Sequence, residues 1–157
     1  PGFYLEGLND SKKLSARKRE RLYDEITQKA QAWAVAYASA AEIDEINLLQ
    51  ASMLAMRRAV DLLPIQPDLL LIDGPHAMGF RQPARPVIRG DAQVPSIAAA
   101  SILAKVSRDR ICEQMDRDYP GYGFAQHKGY PTAAHYEAIR TLGPTPEHRR
   151  SFRLFQS

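Results

Sequence analysis

Cysteine occurs once in this chain of 157 residues, at Cys112, and tryptophan once, at Trp33. A single thiol builds neither a disulfide framework nor a thiolate metal cluster. The fold must therefore rest on its apolar core, and a reducing, cytoplasmic setting is expected. Cys112 reads as an ordinary helix residue, because most buried thiols are inert. No apolar run approaches the ~20 residues of a membrane-spanning helix. The opening residues carry no signal-peptide pattern. Internal repeats and low-complexity tracts are lacking too. Neither sign of charge dominates, with a formal net charge of +3. What remains is 45% hydrophobic and 25% charged, the composition of a soluble globular protein. The length suits one domain with a sizeable core.

The basic residues are nevertheless clustered. Between Asp10 and Arg21, Lys12, Lys13, Arg17, Lys18, Arg19 and Arg21 face only Asp10 and Glu20, a local charge of +4. The closing stretch "EHRRSFRLFQS" adds Arg149, Arg150 and Arg153 against Glu147. Basic patches on a nearly neutral body suit a polyanionic partner, and they equally suit a solvated helix face.

Along the chain, "LSARKRERLYDEITQKAQ" predicts a helix, with Ser15 as N-cap and Leu22, Ile26 and Ala30 at helical spacing. "WAVAYAS" alternates Trp33, Val35 and Tyr37 with alanines, which predicts a strand. Ser39 to Glu42 has the form of a capping box. The helix that follows is expected to break near Asn47 and to end before Pro64. "DLLLID" and "PVIRG" (near residues 86 to 90) predict two more strands. The unbroken apolar run of the first suggests burial on both faces. A long helix is expected from Pro95 to about Asp118, and "PGYGFAQHKGYPT" is expected to be a loop. A short helix then runs from a Thr132 cap to a Gly143 stop. Strands alternating with helices make an α/β domain.

Within this pattern two carboxylates stand out. Asp73 closes the strand "DLLLID", and Asp91 follows the apolar run "VI" eighteen positions later. In open α/β sheets chemistry gathers beyond the carboxyl ends of the strands, so both can open onto one edge. Paired carboxylates there suit a hard divalent cation, Mg²⁺ or Mn²⁺. The competing reading gives Asp73 a turn to cap and Asp91 a helix N-terminus. Asp109 lies too far along the long helix to join them, about 20 Å from its start, and reads as structural.

Read together, "GLNDSKKLS" (7–15), "LLIDG" (70–74), "GDAQVPSIAAASILAKVSRDR" (90–110), "YGFAQHKGYPT" (122–132) and "HRRSF" (148–152) resemble bacterial ribonuclease HII, the type 2 ribonuclease H. The resemblance covers essentially the whole chain. It implies a ribonuclease H-like mixed sheet flanked by helices. It also implies an endonuclease that cuts the RNA strand of RNA–DNA hybrids, and duplex DNA at embedded ribonucleotides, leaving 3′-hydroxyl and 5′-phosphate ends. The cofactor implied is Mn²⁺ or Mg²⁺, held by four carboxylates, of which Asp73 and Asp91 match two. Tyr130 matches the tyrosine that packs on the sugar at the RNA–DNA junction, against the simpler reading of a loop aromatic at the core edge. Asn9, Ser11 and Lys12, with Lys128, match the donors to the phosphate backbone. His127 and His148 read as structural or phosphate-facing. A monomer is expected, and a sliding-clamp partner is left open.

One departure qualifies the resemblance. The family's other two ligands come from an Asp-Glu-x-Gly-Arg-Gly segment that precedes the "NDSKK" motif. Here only "PGFYLE" precedes "GLNDSKK", and Glu6 stands in the wrong context. With Pro1 in place of a methionine, the expectation is a chain without its N-terminal strands, inactive alone and poorly folded. The alternative function is a non-catalytic nucleic-acid-binding remnant of the same fold. A metal-dependent phosphatase is disfavoured, because it gives no reason for the "NDSKK" and "HKGYPT" pair.

Overall fold

The structure is a computed structural model, and it describes residue 8 and residues 14–152. Asn9, Ser11, Lys12 and the residues beyond Phe152 lie outside the described residues. Two compact units form. The first takes the chain up to Ala36 together with Ala55–Val106, and the second takes Tyr37–Leu54 together with the chain from Ser107 onward.

In the first unit, helix α1 spans Ala16–Lys29. Ser15 caps it as predicted, its Oγ accepting from the Lys18 N–H at 3.3 Å. Leu22 and Ile26, one turn apart, are buried, while Glu25 pairs with Arg21 and Lys29 on the outer face. The buried face packs on Ala99, Ile102, Leu103 and Val106. These come from the first half of α3, Pro95–Asp118.

The strand expected around Trp33 to Tyr37 does not form. The segment has no regular secondary structure, with Val35 packed on the core and Trp33 edge-on to Tyr23 at 6.3 Å. No ladder takes it up among the described residues. Side-chain alternation prepares a strand, but only a hydrogen-bonded neighbour completes one.

Two strands do pair, β1 (Leu70–Asp73) and β2 (Ala84–Val87). They run parallel, with Leu70 opposite Ala84 and Asp73 opposite Val87. β2 begins and ends earlier than "PVIRG" suggests; it cannot continue to residue 90 because Arg89 adopts a left-handed φ of 55° and Gly90–Ala92 forms a 3₁₀ turn. Burial of β1 on both faces is also corrected. Leu70 and Ile72 are buried, whereas Leu71 is 37% exposed. A uniformly apolar run cannot tell one covered face from two.

In the second unit, Ser39 and Glu42 exchange backbone bonds at 2.8 and 3.2 Å, the capping box of α2, Ala40–Asp61. The break falls at Asn47, whose φ is 68°. Its Oδ1 then accepts from the Gln50 N–H at 3.1 Å and starts the helix afresh. The expected loop after Asp118 contains one helical turn, α4 (Phe124–His127), bracketed by the left-handed Gly123 and Lys128. Thr132 caps α5 (Ala133–Leu142), and Gly143 closes it at φ 80°. Met115, Tyr122, Phe124, Ala138 and Ile139 form this unit's core.

Leu22, fully buried, makes the first unit's packing testable. Leu22→Ala should lower unfolding stability by about 2–5 kcal/mol. Leu62→Ala, at a side chain 63% exposed, should change it by under about 0.5 kcal/mol. Denaturant melts of the two variants separate these outcomes.

Candidate active site

Parallel pairing brings the carboxyl ends of β1 and β2 to one edge, and Asp73 is the last residue of β1. The next residue, Gly74, turns the chain away with φ 109°, a value that suits glycine. Its N–H donates to the Val87 carbonyl at 3.0 Å, the last bond between the two strand ends.

The Asp73 side chain reaches across that edge. Its Oδ1 accepts from the Gly90 N–H at 2.9 Å. Gly90 opens the 3₁₀ turn whose next residue is Asp91. The structure thus ties one carboxylate to the peptide beside the other. The turn itself is held from within, by Gln93 N–H to Gly90 O at 3.0 Å and Val94 N–H to Gly90 O at 2.8 Å. The Gln93 side chain donates to the Ile88 carbonyl at 2.9 Å. Gly90 is needed for room, since a Cβ there would stand 2.5 Å from Ile97 Cδ1. Asp73 is exposed and Asp91 half-buried.

These two side chains offer hard oxygen donors on a rigid edge, the chemistry a divalent cation takes. Among the described residues no group of three or more His, Cys, Asp or Glu side chains is placed to hold a metal. Two carboxylates alone are fewer oxygen donors than such an ion takes. Asp109 is the fifteenth residue of α3, about 21 Å from the helix start at 1.5 Å per residue. It is assigned to the second unit.

Tyr130 and Lys128 also belong to the second unit. The Tyr130 side chain is 62% exposed, so it does not fill a core edge. Lys128 Nζ meets Glu113 Oε1 at 3.2 Å. Two features escaped the sequence reading. Asp44 accepts from the Arg150 N–H at 2.7 Å and the Ser151 N–H at 2.8 Å, clamping the "HRRSF" stretch against the start of α2. The Ser151 hydroxyl bond comes first, ahead of the backbone bonds, in holding the Asp44 carboxyl below its ordinary value. Arg149 stacks over the Phe152 ring at 3.7 Å. Burial comes first in lowering its pKa, followed by the neighbouring Arg108. The second feature is a set of buried histidines, His127, His135 and His148. His127 and His148 are structural, as the sequence suggests; what it does not reveal is their joining with His135 into one buried set.

With this geometry in view, the comparisons decide the family. A family model described as Ribonuclease HII matches residues 3–155. The chain belongs to the ribonuclease HII family. By family it is a ribonuclease H, a hydrolase. A solved structure, that of the ribonuclease H2 from Pyrococcus horikoshii OT3, is similar with a TM-score of 0.77 at 24% identity. The match covers 94% of this chain and 78% of that one. This agrees with the ribonuclease H-like α/β fold expected from the motifs. Among the described residues, no helix is long and apolar enough to cross a membrane.

The Asp73–Gly90 bond has a structural role that can be separated from charge. Asp73→Asn keeps an Oδ1 acceptor and should leave the melting temperature nearly unchanged. Asp73→Ala loses the bond and should cost about 1 kcal/mol. Equal melts for both variants would remove the bond from the account of the turn.

Proposed function

We propose that this ribonuclease HII chain is an endonuclease on RNA–DNA hybrids and on duplex DNA holding single ribonucleotides, with Asp73 and Asp91 as its described catalytic carboxylates. The observation that supports the reading is the hydrogen bond from the Gly90 N–H to Asp73, which ties the end of β1 to the turn that carries Asp91. The chemistry is hydrolysis of the phosphodiester on the 5′ side of the ribonucleotide, leaving 3′-hydroxyl and 5′-phosphate ends.

Asp73 and Asp91 would hold Mn²⁺ or Mg²⁺, which supplies charge to a phosphate and a more acidic bound water. The protein's own part is placement. Asp73 is exposed, and one of its oxygens is engaged by the Gly90 N–H. The rigidity of a strand end and a hydrogen-bonded turn holds such ligands better than a free loop would.

Tyr130 is the proposed reader of the RNA–DNA junction. A flat, exposed ring can stack on a deoxyribose, whereas a 2′-hydroxyl crowds it. Asn9, Ser11 and Lys12 are proposed to donate to the phosphate backbone, which positions the duplex without reading sequence. Lys128 joins them in the same role, sharing its charge with Glu113.

Two measurements test this. Asp91→Asn should reduce cleavage by at least about a hundredfold, while hybrid binding changes little, because a lost carboxylate weakens metal clamping but lowers repulsion toward phosphate. Unchanged turnover would remove Asp91 from the site, and a parent chain that binds hybrid without cutting it in manganese would support a binding remnant instead. Separately, Tyr130→Ala should cost more on a duplex with one ribonucleotide than on a uniform hybrid, where sliding offers other sites. Equal losses on both substrates would end the junction role.

A further inference from the structure

Each ring nitrogen of the three buried histidines has one possible role, and the roles interlock. His135 Nδ1 lies 3.0 Å from the Tyr130 carbonyl oxygen. A carbonyl only accepts, so His135 carries its proton on Nδ1. The Thr145 N–H donates to His148 Nδ1 at 2.9 Å, with the Thr145 hydroxyl at 2.8 Å from the same nitrogen. His148 Nδ1 is therefore bare and its proton sits on Nε2. That proton points at His135 Nε2, 3.0 Å away, which is bare in turn. His127 completes the set apart from this chain. Its Nε2 donates to the Tyr122 carbonyl at 2.8 Å, and its Nδ1 accepts from the Gly129 N–H at 3.1 Å. Its ring stacks on that of His135 with centroids 4.0 Å apart.

We propose that the pair His148–His135 is a positioning device for Tyr130. The run from the Thr145 N–H through both imidazoles to the Tyr130 carbonyl, with the Tyr130 N–H donating to the His127 carbonyl at 2.8 Å, fixes the backbone that presents the exposed ring, and its donors and acceptors match with both imidazoles neutral. The proposal rests on the reading of Tyr130 as a substrate contact. His135 and His148 are positioning residues, because they act through the Tyr130 backbone and not on substrate.

The surroundings support it. A second proton on His135 enters at Nε2 and meets the His148 Nε2–H head-on. Relief requires the His148 proton to move to Nδ1, where it displaces the Thr145 N–H and leaves the Thr145 hydroxyl oxygen to accept it. The ionisable groups around the pair are His127, Tyr122, whose ring lies 5.7 Å from that of His148, and Arg149 next in sequence, itself beside Arg108 and Asp44. No carboxylate bonds either imidazole among the described residues. Burial is the first cause that lowers both values below the ordinary 6.5, with His127 adding to it for His135, and His135 for His148. As pH falls through about 6.5 the unfolded chain takes up protons before the folded one. The stability contributed by the neutral pair is therefore present above that pH and lost below it.

The test compares the full chain with His148→Gln and His148→Ala. Glutamine supplies an N–H near the position of Nε2 and does not titrate. In the parent, the preference for a single ribonucleotide over a uniform hybrid should fall about two- to tenfold as the folded pair takes up a proton, at a pH below the ordinary 6.5. His148→Gln should keep the preference and change its pH dependence, because His135 alone then titrates against an amide that can accept as well as donate. His148→Ala should lose the preference at about pH 7.5. An unchanged pH slope in His148→Gln overturns the proposal. Nitrogen NMR supplies an arm that needs no activity. It should find the His135 proton on Nδ1 and the His148 proton on Nε2, and the Tyr130 ring signals should move with the pair's titration. A ring that stays still through that titration overturns the device, whatever the substrates show. A ring that follows it, with Tyr130→Ala leaving substrate preference unchanged, supports the device and instead sinks the substrate reading of Tyr130.

Discussion

A single hydrogen bond, from the Gly90 N–H to Asp73 Oδ1 at 2.9 Å, joins the end of a strand to the turn that carries Asp91. Everything proposed about the chemistry depends on it. Parallel pairing sets β1 and β2 with their carboxyl ends together, and the left-handed Arg89 starts the turn. The absence of a Cβ at Gly90 lets that turn close onto Ile97. The bond then ties the end of β1 to the turn whose second residue is Asp91. Turn-capping and metal-holding, which the sequence poses as rival readings of Asp73, are compatible in one side chain. One oxygen serves the turn, and the other is left for a ligand.

A different constraint governs the second unit. There three imidazoles are buried alongside Ser107 and Thr145, and burial without hydrogen bonds would be costly. Phe124 packs against all three histidine rings, at centroid distances of 5.6 Å. The rings therefore take their partners from the backbone and from one another. This turns a stretch rich in glycine and aromatics into an ordered platform beneath Tyr130. The Asp44 clamp on Arg150 and Ser151 orders the "HRRSF" stretch by the same means, a carboxylate satisfied by backbone donors.

Local signals were legible in the sequence. Ser15, the Ser39–Glu42 box, Asn47, Thr132 and Gly143 each act where their chemistry predicts, because a cap is decided by a few adjacent residues. The placement of Asp73 at a strand end was legible too, from an apolar run meeting a charge. What failed depends on partners distant in sequence. Trp33 to Tyr37 has the pattern of a strand, but a ladder needs a neighbour that pattern does not name. The start of β2 and the covered face of β1 depend likewise on what packs against them. The histidine chain links residues 130, 135, 145 and 148, and no spacing rule announces it before α4 and α5 fold together.

The central claim is that Asp73 and Asp91 form one cation-binding edge. Titrating Mn²⁺ into isotope-labelled protein tests it most directly, since a paramagnetic ion broadens the amides nearest to it. The account predicts that Gly74, Gly90, Asp91 and Ala92 broaden first, and that Asp73→Asn weakens the effect at all four. Broadening that begins elsewhere, at the histidine cluster or along α3 near Asp109, would contradict it.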